Sequence, residues 1–290
     1  MGAQPLSLRV WVGPDVLFLG ASVFLLTRFR LLPAPTCLGF IRLLCLVLLV
    51  EVLYELRDRV AAVTINHPEK LNAINAAVRA GLQDAWARFD KDPTARVAIL
   101  TGSGDRAFCA GMDLVEMSEM GLRVPPPDFI PVLGQNILVT KPVIAAVNGI
   151  AYAEGWLFAQ ICDLCVASES ATFAISEAKV GRRAPWAAPL IHMIPQRTML
   201  EVLLTGDPIT AQRAYEIGLI NQVVPKEELL PVSLELAGKI ATMRRLPSKH
   251  QSVWLTSLPK WDEPRRWTRP MLYSRKFTRA KMPKEGPRAF

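Results

Sequence analysis

The chain has 290 residues, 51% hydrophobic and 21% charged. This balance excludes an intrinsically disordered protein and supplies enough apolar mass for a buried core. The formal net charge of +8 sits at the ends, with four Arg against Asp15 in residues 1–50 and ten basic residues against Asp262, Glu263 and Glu285 from Lys260 onward, so it is not a nucleic-acid footprint over the body.

Residues 1–50 read as an apolar, Arg-containing extension outside the fold. The runs Val16–Leu26 and Leu43–Val50 are each too short to span a bilayer, and Arg28, Arg30, Pro33, Pro35 and Arg42 interrupt them. Asp15 ahead of the first run does not suit a secretory signal. A passive extension on a cytoplasmic protein is the favoured reading. Mitochondrial targeting, suggested by the Arg content, and membrane association are the alternatives. The five Cys (37, 45, 109, 162 and 165) lie mostly in apolar runs and read as buried thiols in a reducing compartment.

Folding logic begins at Glu51, and residues 51–243 read as one core. Val52–Leu56 and Val60–Ile65 are strands around a tight polar turn. Asn72 is placed to cap a helix whose apolar residues Ile74, Val78, Leu82, Ala85 and Phe89 recur at three and four. Val97–Leu100 is the next strand, Thr101–Gly104 its exit loop, and Asp113–Met120 a short helix for which Asp113 is the expected cap. Gly121–Pro131, with four prolines, is a loop, and Ile130–Val139 is expected to be helical. Val143–Val147 is a buried strand. After the Asn148-Gly149 turn, Ile150–Ile161 reads as an apolar helix.

Leu164–Ala167 and Ala171–Ile175 are further strands, followed by a turn carrying Glu177. Leu200–Leu204 is helical. Thr210 caps Ala211–Ile217, Val223–Val224 is a short strand, and Glu227–Met243 is a long helix. Strand and helix alternate without a repeat period, which gives an α/β architecture. Residues 244–290 lose the alternation and mix Trp254, Trp261, Trp267, Tyr273 and Phe277 with Arg and Lys. Packing on the body or a partner subunit explains them better than nucleic-acid stacking.

Two loops carry the chemical interest. The strand Val143–Val147 feeds a helix start, an arrangement that aims several backbone N–H groups at one point and suits a negatively charged oxygen. The second loop lies within Ala95–Leu114. No ligand spacing for a metal is present, His67 and His192 are isolated, and Gly102 and Gly104 do not form a dinucleotide fingerprint.

The segments VTINHPEKLNAIN (63–75), AFCAGMDL (107–114), KPVIAAVNGIA (141–151), LLTGDPITAQRAYEIGLINQVVP (203–225) and KEGPRAF (284–290) resemble, in order and spacing, the enoyl-CoA hydratase/isomerase (crotonase) family. The resemblance spans about Val52 to Phe290. It implies a crotonase-like spiral of ββα units with a C-terminal helical region, residues 244–290, used for oligomerisation and for covering CoA. It implies assembly as a homotrimer or dimer of trimers. The implied substrate is an acyl-CoA thioester, with coenzyme A carried by the substrate and no separate cofactor. Its enolate-like oxygen would be held by the backbone N–H groups of Met112 and Glu154.

The sequence departs from the family pattern in the same place. Ala153-Glu154-Gly155 stands where relatives carry three glycines. Of the two glutamates expected of a hydratase, one position holds Leu157 and the other Glu177. Glu177 is therefore the expected acid/base, sufficient for isomerase chemistry. For the Glu154 side chain three readings stand. It is a capping-region or solvent-facing residue, or it replaces the carboxylate lost at Leu157, or it opposes the oxyanion it borders. Trp156, Leu157 and Trp186 are candidates for the acyl pocket. Arg275, Lys276 and Lys281 are candidates for the CoA phosphates by location and charge. A non-catalytic acyl-CoA binder is the third functional reading, beside hydratase and isomerase.

Overall fold

The computed structural model describes residues 50–121 and 126–243. The readings placed on residues 1–49 and 244–290, including Arg275, Lys276 and Lys281, lie outside the described residues. Two sheets organise the chain. The larger runs in the order β1 (Val52–Arg57), β2 (Val60–Ile65), β3 (Val97–Gly102), β5 (Val143–Val147), β7 (Leu164–Ser168), β10 (Gln222–Val224), and the smaller in the order β4 (Ala107–Cys109), β6 (Ile150–Tyr152), β8 (Thr172–Ala174), β9 (Ile209–Thr210). Only the β1–β2 and β8–β9 pairs are antiparallel among these strands.

The connectivity is a repeated ββα unit. β3 enters the large sheet and β4 the small one before helix α2 (Leu114–Met120). β5 and β6 do the same before α3 (Glu154–Ile161), and β7 and β8 before a 3-10 turn at Ser176–Val180. This is the α/β spiral of ββα units expected from the sequence.

Strand alternation divides the core. On β3, Ala98 and Leu100 join the main cluster, with Val78, Leu82, Trp86 and Phe89 of α1 (Ala76–Lys91). Val97 and Ile99 face the other way, into a second cluster covered by Leu229, Ala237 and Ala241 of α6 (Leu229–Thr242). Helices α4 (Gln196–Thr205) and α5 (Ala211–Glu216) complete the body. Among the described residues no helix is long and apolar enough to cross a membrane. Cys109, Cys162 and Cys165 are free and buried.

Three local expectations are corrected. Ile150–Ile161 is not one helix. Ile150–Tyr152 pairs with β4 and β8, and the helix starts only at Glu154, because a short apolar run does not distinguish strand from helix. Ile130–Val139 is not helical. It turns back on itself through a Leu133–Ile137 bridge, with the Asn136 side chain accepting from Val132 N and donating to the Ile130 carbonyl. The cap of α1 is Asn75, whose side chain accepts from Val78 N, and not Asn72. Asn72 is fully buried with φ +56°. It accepts from His67 N and donates to the carbonyls of Ser103 (2.9 Å) and Ala107 (2.7 Å).

Candidate active site

The first N–H donor is aimed by a backbone bridge. Ile74 N donates to the Gly111 carbonyl at 2.8 Å, and Asp113 N donates to the Ile74 carbonyl at 3.1 Å. A parallel bridge that uses both neighbours of Met112 turns Met112's own N–H to the opposite side. Gly111 makes the turn at φ +100°, a conformation that a side chain would strain. Beyond it, the Asp113 side chain caps α2 by accepting from Val115 N and Glu116 N, as expected. Glu116 then reaches back to α1. It accepts from Ala76 N and from both terminal nitrogens of Arg79, at 2.8 and 3.2 Å. Arg79 also lies over the Phe129 ring at 4.1 Å.

The second donor is at the start of α3. Gly155 permits the approach, since a Cβ there would collide with the Cys109 carbonyl oxygen. Ala153 makes the preceding turn at φ +50° and ψ −118°, a region that costs a residue with a side chain about 1–3 kcal/mol. Its N–H is used by the Ala174 carbonyl. The next N–H, that of Glu154, is among the first-turn donors that a helix leaves without an intrahelical acceptor.

The Glu154 carboxylate folds back into this convergence. Its Oε2 accepts from Met112 N at 3.2 Å. Burial pushes the carboxyl above its ordinary range, and hydrogen bonds from Glu154's own N–H and from Met112, with the Arg182 charge, act in the opposite direction. One of the two donors assigned to an oxyanion, the Met112 N–H, is therefore taken by this side chain. The Glu154 side chain is thus turned toward Met112 N–H and lies near enough to Glu177 to raise its proton affinity.

Glu177 is 8% exposed in the 3-10 turn after β8. Its Oε1 accepts from Trp186 Nε1 at 2.7 Å, while Oε2 is buried and has no hydrogen-bond partner among the described residues. Burial raises its proton affinity. Its own backbone N–H and Trp186 counter this, Glu154 adds to the rise, and Arg182 offsets it. The structure thus brings Glu154 and Glu177 to one site. Trp186, considered for the acyl pocket, holds the acid/base candidate, and its carbonyl accepts from Gln160 of α3 at 3.4 Å.

Leu157 is 4% exposed and supplies no acid or base. Trp156 packs edge-on against Phe173 in the core, centroids 5.8 Å apart. The Cys109 thiol beside the site is pushed by burial up to about 12, so it stays protonated. No group of three His, Cys, Asp or Glu among the described residues could hold a metal ion.

Several supporting residues were not anticipated from sequence. Asn148 accepts from Gly102 N and donates to the carbonyls of Gly104 and Ala107. With Asn72 it pins the loop between β3 and β4. For Asn148 the signal is a polar residue directly after the apolar strand Val143–Val147.

Comparison with known proteins bears on the same residues. A family model described as "Enoyl-CoA hydratase/isomerase" matches residues 55–261. The chain is 37% identical to an (E)-benzylidenesuccinyl-CoA hydratase of Thauera aromatica, over 65% of this chain and 75% of that protein. It is 40% identical to the enoyl-CoA hydratase EchA19 of Mycobacterium tuberculosis, over 66% and 74%. Among solved structures, EchA1_1 of Mycobacterium paratuberculosis superposes with a TM-score of 0.69 at 36% identity, covering 80% of this chain and 92% of that one. A carnitinyl-CoA hydratase of Mycobacterium avium gives 0.69 at 32%, covering 80% and 92%.

Proposed function

The chain belongs to the enoyl-CoA hydratase/isomerase family, and from that premise we propose that it binds an acyl-CoA thioester and moves a proton beside the carbonyl with Glu177 as acid and base. The observation that carries this reading is the asymmetry of Glu177. Trp186 holds one oxygen, while the other is buried without a partner. A carboxylate positioned in this way, with raised proton affinity, is suited to take a proton and return it. The thioester oxygen becomes an enolate as the proton leaves, and the N–H groups of Met112 and Glu154 are the donors that stabilise it.

With Leu157 in place of a second glutamate, the reaction this site supports best is double-bond migration. Glu177 removes a C2 proton from a 3-enoyl thioester. The electron pair delocalises into a dienolate, and the same carboxyl returns the proton to C4, leaving the 2-enoyl product. Hydration is the second reading. It draws on the hydratase names of the relatives and on Glu154, a further carboxylate close enough to raise the proton affinity of Glu177. Trimeric assembly and closure over CoA by Arg275, Lys276 and Lys281 belong to the same proposal, as does a cytoplasmic location.

The test follows 3-enoyl-CoA to 2-enoyl-CoA conversion and 2-enoyl-CoA hydration in parallel, in the wild type and in Glu177→Gln. Glu177→Gln is expected to lower migration by about 10²- to 10⁴-fold. Because the Glu177 carboxyl is raised, wild-type turnover rises as pH climbs through its pKa and the base form accumulates. Unchanged migration in Glu177→Gln contradicts the assignment, and hydration that outpaces migration favours the second reading.

A further inference from the structure

The oxyanion site described above is closed by the protein itself. Its two backbone donors belong to Met112, aimed by the Ile74 bridge, and to Glu154, at the start of α3. One carboxylate oxygen of Glu154 lies 3.2 Å from Met112 N, within the range an acceptor oxygen occupies. The turn that places it has Ala153 at φ +50° and Gly155 against the Cys109 carbonyl. A thioester oxygen and this carboxylate oxygen need the same N–H at the same distance, so they exclude one another. The charged carboxylate is also the stronger acceptor of the two.

We infer that the Glu154 side chain is a resident occupant of the oxyanion hole, and that an acyl-CoA binds productively only by displacing it. The inference rests on the acyl-thioester reading of the site. Its consequence is a reduced apparent affinity, in proportion to the fraction of molecules whose hole is open. It also makes position 154 a determinant of substrate choice. Thioesters whose carbonyl accepts strongly, such as conjugated enoyl groups, compete better than saturated ones.

The probe is a push–pull chromophore, a dimethylaminocinnamoyl-CoA thioester, whose absorption moves to the red when its carbonyl oxygen is hydrogen-bonded. It is titrated against the wild type, Glu154→Ala and Glu154→Gln. An S-alkyl-CoA thioether, which has no carbonyl, serves as control. Glu154→Ala is expected to bind the thioester about ten- to a hundred-fold more tightly, the range lost with one charge-assisted hydrogen bond, and with a larger red shift. The thioether is expected to bind all three proteins alike.

Glu154→Gln keeps the size and an acceptor oxygen but not the charge, and its gain is expected to fall between. It also guards against a folding defect in the Ala variant. If the Ala and Gln variants bind the thioester no more tightly than the wild type, the inference is overturned while the acyl-thioester reading stands. An equal gain for thioether and thioester overturns it too, since loss of bulk or charge then explains the change. If no protein binds either ligand, the acyl-thioester reading falls, and this inference with it.

Discussion

The two halves of the oxyanion hole are built in opposite ways. The Met112 half is supported redundantly, by the Ile74 bridge, by Asp113 as cap, and by Glu116 clasping Arg79 and Ala76. The Glu154 half is tight and strained, with a positive φ at Ala153, a glycine against a carbonyl, and a carboxylate turned inward. The first half needs no unusual side chain at its donor. The second couples its donor to a side chain that competes for it. The difference teaches that a backbone donor is only as available as the residue carrying it allows.

Substitutions in each half sharpen this contrast. The largest effect is expected at Gly155→Ala. The new Cβ meets a backbone carbonyl that no rotamer change can move, and urea unfolding should register a loss of about 3 kcal/mol. In the other half, Arg79→Ala leaves the half-buried Glu116 without its bidentate partner. A loss of about 2 kcal/mol is expected there, with weaker acyl-CoA binding because the Met112 loop loses its tie to α1. The smallest effect has the opposite sign. Ala153→Gly relieves the positive φ and should raise stability by about 1 kcal/mol. A destabilising Ala153→Gly would mean that the turn is not strained, and would break the comparison.

Much of this was legible in the sequence, in proportion to how local the cause is. The amphipathic spacing from Val78 to Phe89 marks α1, and Thr210 announces its own helix, accepting from Arg213 N. The family motifs single out Met112, Glu154 and Glu177 as candidates. The misread stretches have local signals that admit two outcomes. Ile150–Tyr152 is apolar enough for a helix or a strand and becomes a strand because β4 and β8 flank it. Asn72 and Asn75 are both suitable caps, and the choice is made by Ser103 and Ala107, more than 30 residues away.

The site's decisive contacts are of the second kind. That Glu154 turns to Met112, 42 positions earlier, depends on the Ala153 turn. That Trp186 donates to Glu177 depends on the 3-10 turn at Pro185–His192, whereas the sequence marks Trp186 only as a candidate for the acyl pocket.

The account rests on Glu177 drawing a proton from the carbon beside a thioester held in this hole. Exchange of the C2 protons of a saturated acyl-CoA with deuterated water, followed by NMR, tests that step without depending on the final product. The wild type is expected to catalyse exchange. Glu154→Ala should exchange faster, and Glu177→Gln should slow it by about 100-fold or more. Exchange at the wild-type rate in Glu177→Gln would contradict the account.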